Sequence, residues 1–183
     1  KWARGSARTG LEQCPCRRQV AHMARSMGTV PRQEVQKLSF RVVSCSSEDS
    51  DFPAAELNVH SPDTRGWQTE RFCEYPQEVI VQFPTTVRIK QVQLLSHQSK
   101  VAKRVYLFVG EGVHVDACRY RRLGYVSLDS NERSNYQARE LKSVYIDASA
   151  DFLRLVVKEC YENRLNLFNQ IGLIAINVLG WPA

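Results

Sequence analysis

From Leu38 onward the chain is built from short runs rich in Val, Ile, Leu, Tyr and Phe. Their length and spacing leave room for strands but not for long helices. The runs cover 38–45, 55–59, 78–83, 87–97, 103–109, 121–128, 141–148, 152–159 and 170–179. In Val87-Arg88-Ile89-Lys90-Gln91-Val92-Gln93-Leu94 the apolar residues fall at 87, 89, 92 and 94. This is a period of two with one slip, which predicts a β-bulge or a twist there. Val144, Ile146, Leu153, Leu155 and Val157 show the same half-buried alternation. The stretch Ile171 to Leu179 is almost wholly apolar and reads as a central strand covered on both faces. Pro84 is expected to end one strand, while Pro53, Pro62 and Pro76 fall in connections, where a missing N–H does little harm. Eight or nine strands without an amphipathic helix predict an all-β sandwich or barrel. They exclude alternating βα units, and no repeat period suggests a solenoid or propeller.

Charge separates a second region. The 183 residues carry a net charge of +6. Of 25 basic and 19 acidic side chains, eight and two lie in residues 1–37, which leaves 17 of each sign in residues 38–183. The basic character therefore belongs to an N-terminal arm, and the domain has no global positive field of the kind nucleic acid requires. Residues 17–27 (RRQVAHMARSM) are compatible with a short helix, but one of that length is marginal alone in water. The arm is expected to be flexible, either disordered or ordered by a partner, with Arg17, Arg18 and Arg25 as candidate contacts. The expected organisation is an arm over 1–37, a domain over 38–180, and at 181–183 the start of a linker to regions of a longer protein. No stretch approaches the ~20 apolar residues that span a bilayer, so no membrane insertion is expected.

Nothing points to catalysis. The histidines at 22, 60, 97 and 114 stand in separate segments, outside any H-E-x-x-H or H-x-E pattern. His97, after Leu94-Leu95, reads as a hydrogen-bonded residue at a strand end. Gly110-Glu111-Gly112 has no following helix and cannot cradle a phosphate. The cysteines at 14, 16, 45, 73, 118 and 160 form no Cys-x-x-Cys pair and no regular disulfide framework. Reduced cytosolic thiols are expected, and no cofactor.

Binding residues are easier to nominate. Arg65, Trp67, Arg71, Phe72 and Tyr75 crowd one stretch, and Arg with large aromatics dominates binding hot spots. The competing role for Trp67 and Phe72 is to plug one end of the sandwich. Arg119, Tyr120, Arg121 and Arg122 form a compact basic cluster, suited to an acidic partner or to protecting a strand edge from pairing. Glu48, Asp49 and Asp51 share a loop and offer hard oxygen ligands of the type Ca²⁺ takes, although they lack the glycine and distal Glu of an EF-hand. A solvated acidic turn is the alternative.

The strings GWQTERFCEYPQEVIVQF, VQLLSHQ, RRLGYVSLDSNE, ARELKSVYIDA and NLFNQIGLIAINVLG occur in this order. Together they closely resemble the N-terminal domain family of the centrosomal protein of 104 kDa, over roughly 38–180. The resemblance implies a jelly-roll β-sandwich of antiparallel strands, similar to discoidin-like domains. It also implies a non-enzymatic interaction module of a microtubule-associated protein of the cytoplasmic cytoskeleton, at the centriole or centrosome and the tip of the cilium or flagellum. Ciliary or centriolar cytoskeletal proteins, with tubulin at microtubule plus ends among them, are then the expected partners, and nucleic acid is not. The discoidin likeness leaves open a module binding carbohydrate or lipid headgroups through its loops.

Overall fold

A computed structural model describes residues 34–59 and 64–183, and these belong to one unit. The arm candidates Arg17, Arg18 and Arg25 lie outside the described residues. Eight strands follow in order: β1 (Gln36–Leu38), β2 (Arg41–Cys45), β3 (Trp67–Gln68), β4 (Gln77–Ser96), β5 (Arg104–Glu111), β6 (Arg119–Ser127), β7 (Leu141–Val157) and β8 (Gly172–Pro182). All pairings between them are antiparallel.

Two long strands make the sandwich. The first half of β4 pairs with β2 and with the second half of β7, which also pairs with β5, and β5 carries β6 at the edge. The second half of β4 pairs with the first half of β7 and with β8, and β8 carries β1 and β3 on its other side. β4 and β7 thus pass from one layer to the other and hinge them together, which gives a jelly roll. Between the layers lie Val79, Val81, Val87, Ile89, Val92, Leu94, Leu107, Leu153, Leu155 and Ile176, all essentially inaccessible. Core side chains of this size each contribute about 1.5–3 kcal/mol through burial.

Several expectations are corrected. Pro84 does not end a strand. It sits inside β4, where pairing with β7 is interrupted between Gln82 and Val87. A residue without an N–H is tolerated where the ladder is already broken, so 78–83 and 87–97 form one strand, as 141–148 and 152–159 do. Residues 54–58 form a 3₁₀ turn rather than a strand, following the extended Pro53. β1 begins at Gln36 and β8 continues to Pro182, so pairing extends beyond 38–180 at both ends. The predicted slip is present: register shifts between Ile89 and Gln91 against both β7 and β8. No residue from Gly172 to Gly180 is exposed.

Candidate functional site

Four connections meet around the start of β8. They are the β2–β3, β3–β4, β4–β5 and β7–β8 loops, and a buried polar network locks them together. The Thr69 N–H donates to the Ile171 carbonyl, and the Ile171 N–H returns to Thr69 Oγ1 at 3.1 Å. Gln170 Nε2 donates to the Thr69 carbonyl at 2.6 Å and to Asp49 Oδ2 at 3.2 Å. Asn166 spans the β7–β8 loop, donating to the Gln170 carbonyl and accepting the Gln170 N–H. No buried side-chain nitrogen or oxygen among the described residues lacks a partner, so the network stiffens these loops at little desolvation cost.

Trp67 takes the role of plug. It is 1% exposed, and its indole N–H donates to the Ser47 carbonyl at 3.0 Å. Gly66 makes that depth accessible: its φ is +72°, and a Cβ there would lie 2.4 Å from the Leu173 carbonyl oxygen. Trp67 is therefore withdrawn from any partner, which corrects its nomination as a binding anchor.

Phe72 does the opposite. It is 70% exposed although its φ is 59°, a left-handed backbone that bulky side chains rarely adopt. Its N–H donates to the Phe168 carbonyl at 2.7 Å, and its ring meets that of Phe168 edge-to-face at 5.4 Å. Arg71 stacks over the other partner in this pair, with its guanidinium 4.7 Å from the Phe168 ring centre, and reaches towards Asp49 at 3.9 Å. Leu167, 74% exposed, and Leu165 extend the apolar surface.

Beneath this knob the Asn169 carbonyl accepts the Tyr75 hydroxyl at 3.0 Å and the Cys73 thiol at 3.6 Å, and Asn169 Oδ1 accepts the Cys160 thiol at 3.0 Å. The half-buried Tyr75 thus braces the knob through its hydroxyl, and burial raises its pKa. Arg65 is exposed, but its backbone N–H, not its side chain, joins the cluster through Glu56.

The remaining nominations are placed as follows. The Ala54 N–H takes one oxygen of Glu48 at 2.7 Å. Asp49 accepts the Asp51 N–H and Gln170, and Lys100 and Arg71 lie close; the Asp51 N–H leads in holding its pKa below the ordinary carboxylate value. Among the described residues no three His, Cys, Asp or Glu side chains gather as a metal site. Arg119, Tyr120, Arg121 and Arg122 lie on the edge strand β6, and no hydrogen bond or ion pair among the described residues links them to the loop cluster. His97 Nδ1 accepts the N–H groups of Ser99 and Lys100, both at 3.1 Å, which fixes the β4–β5 turn. Burial pushes the thiols of Cys45, Cys118 and Cys160 up, the reverse of what a nucleophile needs.

Sequence reasoning missed Phe168 and the amides Asn166, Asn169 and Gln170. The available signal was a Leu-Phe pair bracketed by asparagines in a loop, the pattern of an apolar tip held by side chains that hydrogen-bond locally.

Residues 66–180 match the family described as centrosomal protein CEP104, N-terminal domain. Centrosomal protein of 104 kDa from Homo sapiens and from Mus musculus are each 43% identical over 152 residues, which is 80% of this chain and 16% of theirs. The chain thus spans about a sixth of the length of these relatives. Among solved structures, the family 32 carbohydrate-binding module of C. perfringens NanJ in complex with galactose aligns with a TM-score of 0.63 at 11% identity. That match covers 80% of this chain and 99% of that one. Reduced XRCC1 bound to the DNA pol beta catalytic domain aligns at 0.61 and 21%, covering 80% and 100%. Chitosan-binding module 1 from a Paenibacillus sp. IK-5 chitosanase/glucanase aligns at 0.64 and 14%, covering 79% and 99%. At such identities these structures establish the fold alone.

Proposed function

This chain belongs to the family of the centrosomal protein CEP104 N-terminal domain, and from that premise we propose that it is a non-enzymatic protein-interaction module. It helps to place a longer centrosomal and ciliary microtubule-associated protein at microtubule plus ends, by gripping a protein partner through the Phe72–Phe168 knob. The observation that carries this is Phe72. A phenylalanine held in a left-handed backbone and turned to solvent costs the fold stability, and such strain is retained where it serves binding. Arg71 beside it supplies the second side chain typical of hot spots.

A carbohydrate site on the same loops would need an aromatic platform and several free, convergent polar groups. A cleft of about 530 Å³ lies beside the knob, lined by Glu162, Asn163, Arg164, Asn166, Leu167 and Asn169. Its amides are engaged internally: Asn163 with the Ser99 carbonyl and the Leu165 N–H, Asn166 with Gln170, Asn169 with Cys160. These engagements favour a protein over a sugar.

The test is a photo-crosslinking amino acid placed at Phe72 of the full-length protein in ciliated cells. Crosslinks to microtubule or centriolar proteins are expected. Crosslinks only to lipids or glycoproteins, or none above a Lys142 control position, would sink the proposal.

A further inference from the structure

The outer face of the β2–β4–β7–β5–β6 layer carries a second surface. Cross-strand register places its side chains in rows. One row runs Glu78, Val156, Tyr106, Tyr125; the next Ile80, Arg154, Phe108, Arg122; the third Arg41, Gln82, Phe152, Gly110, Tyr120. Residues between them along each strand, such as Val79, Leu155 and Leu107, point into the main core. Ile80, Phe152 and Val156 are also buried, yet they stand outside that core. They form an apolar floor on the side of the sheet away from it.

Cations roof the floor. The Arg122 guanidinium lies 4.9 Å from the centre of the Tyr106 ring, with Lys158 over the same ring at 5.1 Å. Arg104 lies over Tyr125 at 5.3 Å, and Arg154 lies 5.3 Å from Tyr120 and 5.9 Å from Phe108. Glu78, bonded to Arg154 through Nε at 2.9 Å, is the one carboxylate in the three rows. Residues 38–183 are charge-balanced as a whole, so the positive excess on this face is offset by net negative charge elsewhere in the domain.

The chemistry of an occupant follows. A guanidinium stacked on a ring has its orientation fixed and its N–H edge free for a carboxylate, often as a bidentate pair. Tyr106, Phe108 and Tyr120 are half-buried with cations over them, and only Tyr125 is exposed, which makes a poor continuous platform for the stacked bases of single-stranded nucleic acid. We propose that this face docks an acidic, extended peptide segment of a partner protein, with carboxylates on Arg104 and Arg122 and apolar side chains between them. The N-terminal residues 1–37 share the sign of the face and are not its complement. The surface shares no residue with the Phe72 knob.

Fluorescence anisotropy on the whole 183-residue chain tests this, with a labelled peptide alternating Glu with Val and Tyr as probe. Wild type is expected to bind it, and Arg104→Glu/Arg122→Glu to weaken binding by at least about tenfold at an unchanged melting temperature. Arg133→Glu, away from the rows, and Phe72→Gly are expected to leave it unchanged; the latter separates this face from the knob. A Lys-for-Glu version of the peptide binding equally well would overturn the proposal. So would an oligothymidylate of equal charge binding more tightly, the double variant retaining affinity while folded, or wild type failing to bind the peptide.

Discussion

At the residue scale, two aromatics five positions apart are placed oppositely: Trp67 of β3 is buried, and Phe72 in the loop after it is exposed. Trp67→Ala empties a fully buried site and is expected to cost about 3–5 kcal/mol, read from the denaturant midpoint. Phe72→Gly removes a side chain that contributes little to the core and relieves the left-handed backbone. It is expected to leave stability unchanged or raise it by up to about 1 kcal/mol while weakening partner capture. A loss above about 2 kcal/mol would make Phe72 a structural residue instead.

His97 supplies a pH dependence. Burial, with Lys100 and Arg139 adding to it, lowers its pKa from 6.5 to about 4. The unfolded chain therefore takes up a proton that the native state refuses. Stability is fully present above pH 6.5 and is lost as pH falls through 6.5 towards 4, by ~2 kcal/mol after allowing for the partial exposure of the ring. His97→Asn keeps an acceptor for the Ser99 and Lys100 amides but does not titrate, so urea midpoints measured at pH 7 and pH 4.5 should lie closer together than in wild type.

At the element scale, the pairing of β4 with β8 depends on close backbone approach at the register shift. A Cβ at Gly180 would lie 2.0 Å from the Arg88 carbonyl oxygen. Gly180→Val is expected to destabilise by at least about 3 kcal/mol or to prevent folding; a stability within about 0.5 kcal/mol of wild type would show that β4 and β8 can part there. The slip in this pairing was legible because period-two alternation reports the side facing the core, and a bulge breaks that period visibly. Pro84 misled because its missing N–H breaks a ladder without ending the strand, so two long strands were read as four. Residues 54–58 misled because AAELN carries apolar residues but only enough chain for a single 3₁₀ turn. Of the candidate site, the composition of 65–75 pointed to the loop that carries Phe72. It did not distinguish Trp67 from Phe72, since the depth of Trp67 depends on Gly66 approaching β8, more than 100 residues away in sequence. Phe168 was missed for the same reason: its place beside Phe72 is set by a long-range backbone bond.

At the scale of the whole molecule, a charge-balanced sandwich presents two surfaces of different physics. Partner capture by the apolar knob should change little between low and physiological salt, whereas the acidic-peptide complex should weaken clearly, since exposed charges are screened beyond ~8 Å at 0.15 M. A titration of each in parallel separates the two. The most direct test of the protein-interaction role is where the full-length protein goes in ciliated cells when Phe72 is replaced by Gly, with abundance and melting matched to wild type. A several-fold loss of signal at the centrosome and ciliary tip is predicted, and unchanged localisation would contradict the role assigned to the knob.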